Sequence, residues 1–185
     1  MTRHPGAVAG VPRRLGRFEL RRVLGRGAQA TVWLAHDPKL DRAVAGLPES
    51  LRGATAAGFE DAPWQLLEHL RLALADLVAF ALEADYSHTL TWPDDYWPSA
   101  AAPPDAAAWD ASRAAIHDDL ARMAALARDP SVDLLAPVPT GLPTQTYLRG
   151  ILLVIDHNAY HVGQLVAVRR ALGADNRGIA GMVMR

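Results

Sequence analysis

The chain has 185 residues, half of them hydrophobic, and a formal net charge of −1. That length and apolar content suit one ordinary domain with its own core and exclude wholesale disorder. There is no cysteine, which excludes disulfides, thiolate metal ligands and a cysteine nucleophile.

Residues 1–42 hold nine Arg/Lys against three Asp/Glu, whereas residues 43–185 hold ten against seventeen. The basic stretch gathers on no obvious helix face, so it is read as a basic tail and no nucleic-acid partner is expected. No uncharged apolar run reaches the roughly 18 residues of a membrane span. The N-terminus lacks a clean apolar signal region. The expectation is a soluble, cytoplasmic protein with no membrane partner.

Two unlike pieces follow one another. Phe18 to Leu24 alternates as a strand does, a turn with Gly25 and Gly27 follows, and Thr31 to Ala35 reads as a second strand. His36 to Asp41 breaks this hairpin. From about Ala43 the period becomes helical, so residues 1–42 are expected as an N-terminal segment without a core of its own and 43–185 as a helical bundle. A short helix is expected over about Pro38–Leu47, with Leu34, Leu40 and Val44 as a possible apolar stripe.

Pro63 suits a first helical position, and the helix it starts is expected to run to about Glu83. Leu66, His69, Ala73 and Phe80 share its apolar face. A loop rich in proline and aromatics, Tyr86 to Pro104, follows. Asp105 is placed to cap the next helix, whose buried face is marked by Trp109, Ile116, Leu120, Met123 and Ala127, and Asp129 with Pro130 stops it. A proline-rich connection leads to the most apolar helical stretch, Leu148 to Leu172, with Gly173 as its expected stop. Leu153, Val154, Leu165 and Val168 lie on one face of it. Ile151, Ile155, Val162 and Val166 lie opposite, so both sides are expected to be buried, inside the bundle first and in a dimer second.

His157 and His161 sit on the first of those faces, about 40° apart at 100° per residue. Buried imidazoles need partners. His69 points inward from a different helix, and three core-facing histidines on two helices can form a three-histidine site with an open position. Gln164, on the face of His157 and one turn past His161, and Gln65, one turn before His69, are candidates to orient a ligand or water. Asp76 shares the face of His69 but lies roughly 10 Å along the axis by helix rise. From periodicity alone, metal ligands and satisfied core histidines stand as equal readings.

Pro63 to Leu72, Ile155 to Leu165, the Trp92–Pro98 loop and Ala43 to Gly53 together resemble the DinB-like family of bacterial proteins, over about residues 43–172. The run Asp156 to Gln164, with both histidines, is the most specific part. The resemblance implies an all-α four-helix bundle, often dimeric, in which His69, His157 and His161 hold a divalent metal ion. Zinc, nickel and iron all suit three imidazoles. It also implies a metal-dependent hydrolase or a thiol S-transferase acting on a small molecule. The alternative is a non-enzymatic metal-binding or stress-associated bundle. No catalytic residue is assigned. Asp156 lies off the metal face, and the Trp92–Pro98 loop is either a plug capping the bundle or a lid offering Asp94 or Asp95. His4, His36, His88 and His117 have no partner at useful spacing and are expected to face solvent.

Leu15 to Ala35 resembles the first strands and glycine-rich loop of bacterial serine/threonine protein kinases, with Ala30 where a third glycine is usual. Kinase chemistry is excluded on inspection. The chain's one lysine, Lys39, precedes the expected third strand, and no His-Arg-Asp or Asp-Phe-Gly run follows. At most an inactive kinase-like nucleotide-binding fragment remains. This segment replaces most of the first helix expected for the bundle, with a β-hairpin-like or irregular structure in its stead.

Overall fold

The computed structural model describes residues 14–15, 18–26, 31–36 and 39–174, with side chains from residue 40 onward. The chain divides into two compact units, the boundary falling between Arg42 and Ala43. The expected metal-site residues all fall in the second. His4 lies outside the described residues, and the side chain of His36 does too.

The first unit carries three strands, β1 (Arg14–Leu15), β2 (Phe18–Arg26) and β3 (Thr31–His36), in the antiparallel order β1-β2-β3. Register shifts between Leu20 and Arg22 and between Val23 and Gly25 mark irregular pairing along β2.

The second unit is all-helical. Two short helices, α1 (Lys39–Val44, lying across the boundary) and α2 (Glu49–Arg52), precede three long ones: α3 (Pro63–Leu82), α4 (Ala106–Leu126) and α5 (Tyr147–Ala171). Each long helix starts where its local chemistry directs. Pro63 supplies the fixed φ of a first turn, and the Gln65 side chain reaches back to accept the Ala62 N–H at 3.0 Å. Asp105 accepts from the Ala108 N–H at 2.7 Å, and Thr146 from the Arg149 N–H at 3.2 Å. Gly173, at φ +70°, ends α5 in the left-handed conformation that costs glycine least.

α3 is the central element, packed against both α4 and α5, while among the described residues α4 and α5 barely meet. Leu66, Leu67, Leu70, Leu74 and Val78 of α3, Trp109 and Ile116 of α4, and Leu165 and Val168 of α5 are the best-buried side chains. Glu68 ties α3 to α4 by accepting from the buried Ser112 hydroxyl at 2.6 Å. Arg52 lies over the Trp109 ring, 5.0 Å from its centroid.

The short α1 is held by a buried cation. Arg169 of α5 donates to the carbonyl oxygens of Ala43 at 3.0 Å and Ala45 at 2.6 Å, the oxygens a helix C-terminus leaves without partners. These bonds tie the segment at Ala43–Ala45 to the C-terminal part of α5. The expectation that both faces of α5 are buried needs correction. Val162 and Val166 are buried, but Ile155 is 59% and Leu152 is 56% exposed, and Leu153 is exposed too. α5 is a described helix long and apolar enough by composition to cross a membrane, yet its histidine face packs onto α3 as that of a core helix does.

Candidate metal centre

His69 occupies the buried face of α3, between Leu66 and Leu70 on one side and Ala73 on the other, and is almost wholly inaccessible. His161 is buried and His157 half-buried on the facing side of α5. The four-residue spacing stacks the two α5 rings one turn apart, with centroids 4.5 Å apart. The Nε2 atom of His69 lies 3.2 Å from Nε2 of His157 and 3.2 Å from Nε2 of His161. The three histidines that the helical periodicity placed on inward faces therefore meet at one point, as a group able to hold a metal ion.

The tautomer of His69 follows from its other nitrogen. Nδ1 lies 2.9 Å from the Tyr96 carbonyl oxygen, which can only accept. Nδ1 must carry the proton, and Nε2 is left as a lone pair aimed at the other two rings. Burial pushes all three imidazoles below their ordinary pKa, His161 to about 4, with the neighbouring histidine rings adding to the effect on His157 and His161. The trio is thus held neutral, the state a metal requires of it. The Asn158 amide acts on His157 and the Gln164 amide on His161 as hydrogen-bonding neighbours that pull the other way.

A tetrahedral ion with metal–nitrogen bonds of about 2.0–2.1 Å spaces its ligand nitrogens by roughly 3.3–3.4 Å. The observed 3.2 Å separations match that edge. The Nδ1 atoms of His157 and His161 are buried without a partner in hydrogen-bonding geometry, as are Asn158 Oδ1 and Gln164 Oε1. Among the described residues no partner fixes the tautomers of His157 and His161, so both rings are free to present an Nε2 lone pair to a cation beside that of His69. Three neutral imidazoles and no charged ligand suit a borderline divalent ion and leave at least one coordination position free.

Aromatic rings from the Trp92–Pro98 loop enclose one side. Trp97 stacks on His69 at 3.8 Å between centroids and 5° between planes, and Trp92 meets the same imidazole edge-on at 6.2 Å. Tyr160 packs edge-on against His161 at 4.8 Å. The loop turns through a short 3₁₀ segment, Asp94–Tyr96. Tyr96 is anchored below by its hydroxyl, which donates to Asp76 at 2.6 Å; Tyr86 donates to the other oxygen of Asp76 at 2.6 Å. Asp76 is thus kept from the histidines by distance and occupied by two phenols, both of which it pushes above the ordinary tyrosine pKa together with burial.

Several expected roles fall elsewhere. Gln65 is engaged at the start of α3 and donates to the Pro98 carbonyl at 3.4 Å, so it steadies the loop rather than a ligand. Gln164 lies beside His161, and its Nε2 is 3.5 Å from the Tyr160 hydroxyl. Asp94 and Asp95 are exposed, and Asp95 accepts from the Thr91 N–H at 2.7 Å, closing its own turn. Asp156 is exposed. His88 is exposed as expected but not partnerless, since its Nδ1 lies 2.9 Å from the Tyr86 hydroxyl. His117 is half-buried and engaged, not solvent-facing. Tyr96, Trp97 and Asn158 carry parts that periodicity gave no means to find; the aromatic density of the loop signalled the first two, and the Asp156–Gln164 run contained the third.

A model of the DinB superfamily matches residues 35–165 of the chain. No curated protein matches it.

Proposed function

The chain belongs to the DinB superfamily, and on that premise we propose that it is a metal-dependent enzyme of hydrolase or thiol S-transferase type acting on a small molecule, with His69, His157 and His161 as ligands. The observation that carries this reading is the convergence of three neutral Nε2 atoms, from two helices, at the spacing of ligands to one ion. A divalent ion held there supplies Lewis acidity toward water, a thiol or a carbonyl oxygen.

The chain's own residues divide the remaining work. Tyr96 fixes the tautomer of His69 through its carbonyl. Trp97 covers one face of that ring and keeps water from it. Asn158 beside His157 and Gln164 beside His161 supply the amides that would orient the α5 rings around a bound ion. The free coordination position favours catalysis over a structural ion, because structural zinc sites are closed by four protein ligands. The second reading, a non-enzymatic metal-binding bundle, is favoured by one observation: no carboxylate of the described residues joins the three-histidine group, and the acids whose charges reach it, Asp61 at His69 and Asp156 at His157, stand outside it.

The exposed apolar residues Leu152 and Ile155 on α5 support a homodimer. We read the protein as cytoplasmic, and the strands before residue 42 as a kinase-start-like segment without phosphotransfer chemistry.

Metal analysis of the purified chain tests the reading. One divalent ion per chain, lost in His161→Ala, is the expected result. A wild-type protein that carries none and takes up none of zinc, nickel or iron(II) overturns it.

A further inference from the structure

A cavity of about 390 Å³ lies between α3 and the first turns of α5, walled by Leu77, Phe80 and Leu153, with Asp76 and Tyr86 on one side and Arg149 and Gly150 on the other. Its position relative to the histidines follows from two helices independently. Asp76 is seven residues from His69 and Gly150 is seven from His157, each about 10 Å by helix rise and nearly on the same face. The cavity therefore lies on the faces of α3 and α5 that carry the three rings, about two turns away, and none of the rings lines it.

Three features make it a built pocket. Most of its accessible lining is apolar, although His88, Gln145 and Thr146 also reach it, and both oxygens of its one acidic residue, Asp76, are already engaged by phenols, with His88 3.8 Å away. Arg149 lines the cavity and makes no ion pair among the described residues. Gly150 leaves open space where a side chain would project: a Cβ built there meets nothing within 4 Å.

We propose that this pocket binds an elongated amphipathic monocarboxylate, its carboxylate on Arg149, its apolar body against Leu77, Phe80 and Leu153, and its far end reaching His157. Charge complementarity selects an anion at the arginine rim and the apolar walls select an aliphatic or aryl body. An eight-carbon acid, with bonds of about 1.5 Å, spans roughly the 10 Å between Gly150 and His157. As a ligand pocket the cavity stands alone; as the substrate pocket of the histidine site it rests on the metal-centre reading above.

Titration calorimetry of the full chain with straight-chain acids from butanoate to dodecanoate tests it. Binding is expected to tighten by up to about fourfold per methylene, the value for full burial, and to level off near eight carbons. Octan-1-ol and Arg149→Gln with octanoate should each bind about tenfold more weakly. Gly150→Leu should lose octanoate binding, whereas Gly150→Ala should keep it; Arg149→Gln, on an exposed side chain, keeps the test valid if Gly150→Leu fails to fold. Octanol binding as tightly as octanoate, or octanoate binding unchanged in Gly150→Leu, overturns the proposal. Wild-type protein that takes up zinc but binds no acid overturns the pocket and leaves the metal centre standing. Wild-type protein that binds octanoate but no metal ion keeps the pocket and overturns the metal centre.

Discussion

The backbone carbonyl of Tyr96 and the Nδ1 atom of His69 are 2.9 Å apart, and that single contact decides which nitrogen of His69 faces the other two histidines. The same residue donates its hydroxyl to Asp76 at 2.6 Å. Asp76, two turns from His69 on α3, therefore steadies the turn that presents the carbonyl.

This linkage makes Asp76 testable without touching a ligand. Asp76→Asn weakens the hold on both phenols, and Tyr96→Phe removes one hydrogen bond while keeping the carbonyl. Partners of this outer kind are worth about 10- to 100-fold in metal affinity. Both variants should bind zinc about tenfold more weakly in competition with a chromogenic chelator. Equal affinities in wild type and both variants would show that the carbonyl holds its place unaided.

Acid should act on the metal-free fold through the same rings. The folded-state pKa of each histidine lies below its unfolded value, His161 at about 4, because burial disfavours the imidazolium. The unfolded chain then binds more protons than the folded one as pH falls from about 6.5 toward 4. Stability contributed by the neutral rings is complete above that window and is lost within it. Urea midpoints of the metal-free protein should fall across pH 6.5 to 4, and the decline should be shallower in His161→Gln. A flat profile over that range would contradict the neutral trio.

The sequence disclosed the three long helices because their signals are local: Pro63, Asp105 and Gly173 act within one turn of where they stand. It disclosed the inward histidines because helical period is a one-dimensional property. Trp97 over His69 was not legible, since it joins a loop to a helix 28 positions away through no periodic pattern. The exposure of Ile155 was misjudged for a different reason. A stripe states what a helix can bury, and whether anything covers it depends on another element, here a first helix cut to six residues. The bonds of Gln65 to Ala62 and Pro98 were not legible from helical period, because a glutamine near a helix start can serve its own cap.

Arg169 should matter more than its distance from the histidines suggests. It is buried, and its guanidinium satisfies the carbonyls of Ala43 and Ala45. Arg169→Met preserves length and apolar stem but leaves both oxygens without that donor. Hydrogen bonds to charged groups contribute about 1.5–3 kcal/mol, so a loss of about 3 kcal/mol in chemical denaturation is expected. Amide exchange near residues 43–47 should accelerate more than exchange in α3. Uniform acceleration in both would instead mean that α1 and the long helices open together.

The uncovered half of α5 predicts association. Leu152, Ile155 and Ala159 fall on one face, with Leu152 and Ile155 more than half exposed, and a carboxylate placed within that stripe opposes burial against a second copy. If the stripe joins two chains, Ile155→Glu should sediment as a monomer at concentrations where the wild type is a dimer. Its helical circular dichroism should be unchanged, because more than half of the side chain is exposed. Ala159→Glu should give the same result from one turn away, whereas Asp118→Lys, on exposed α4, should leave the mass unchanged. Wild-type protein that sediments as a monomer at every concentration would show that the stripe stays in solvent, and the cost of that exposure would then fall on the stability of α5 itself.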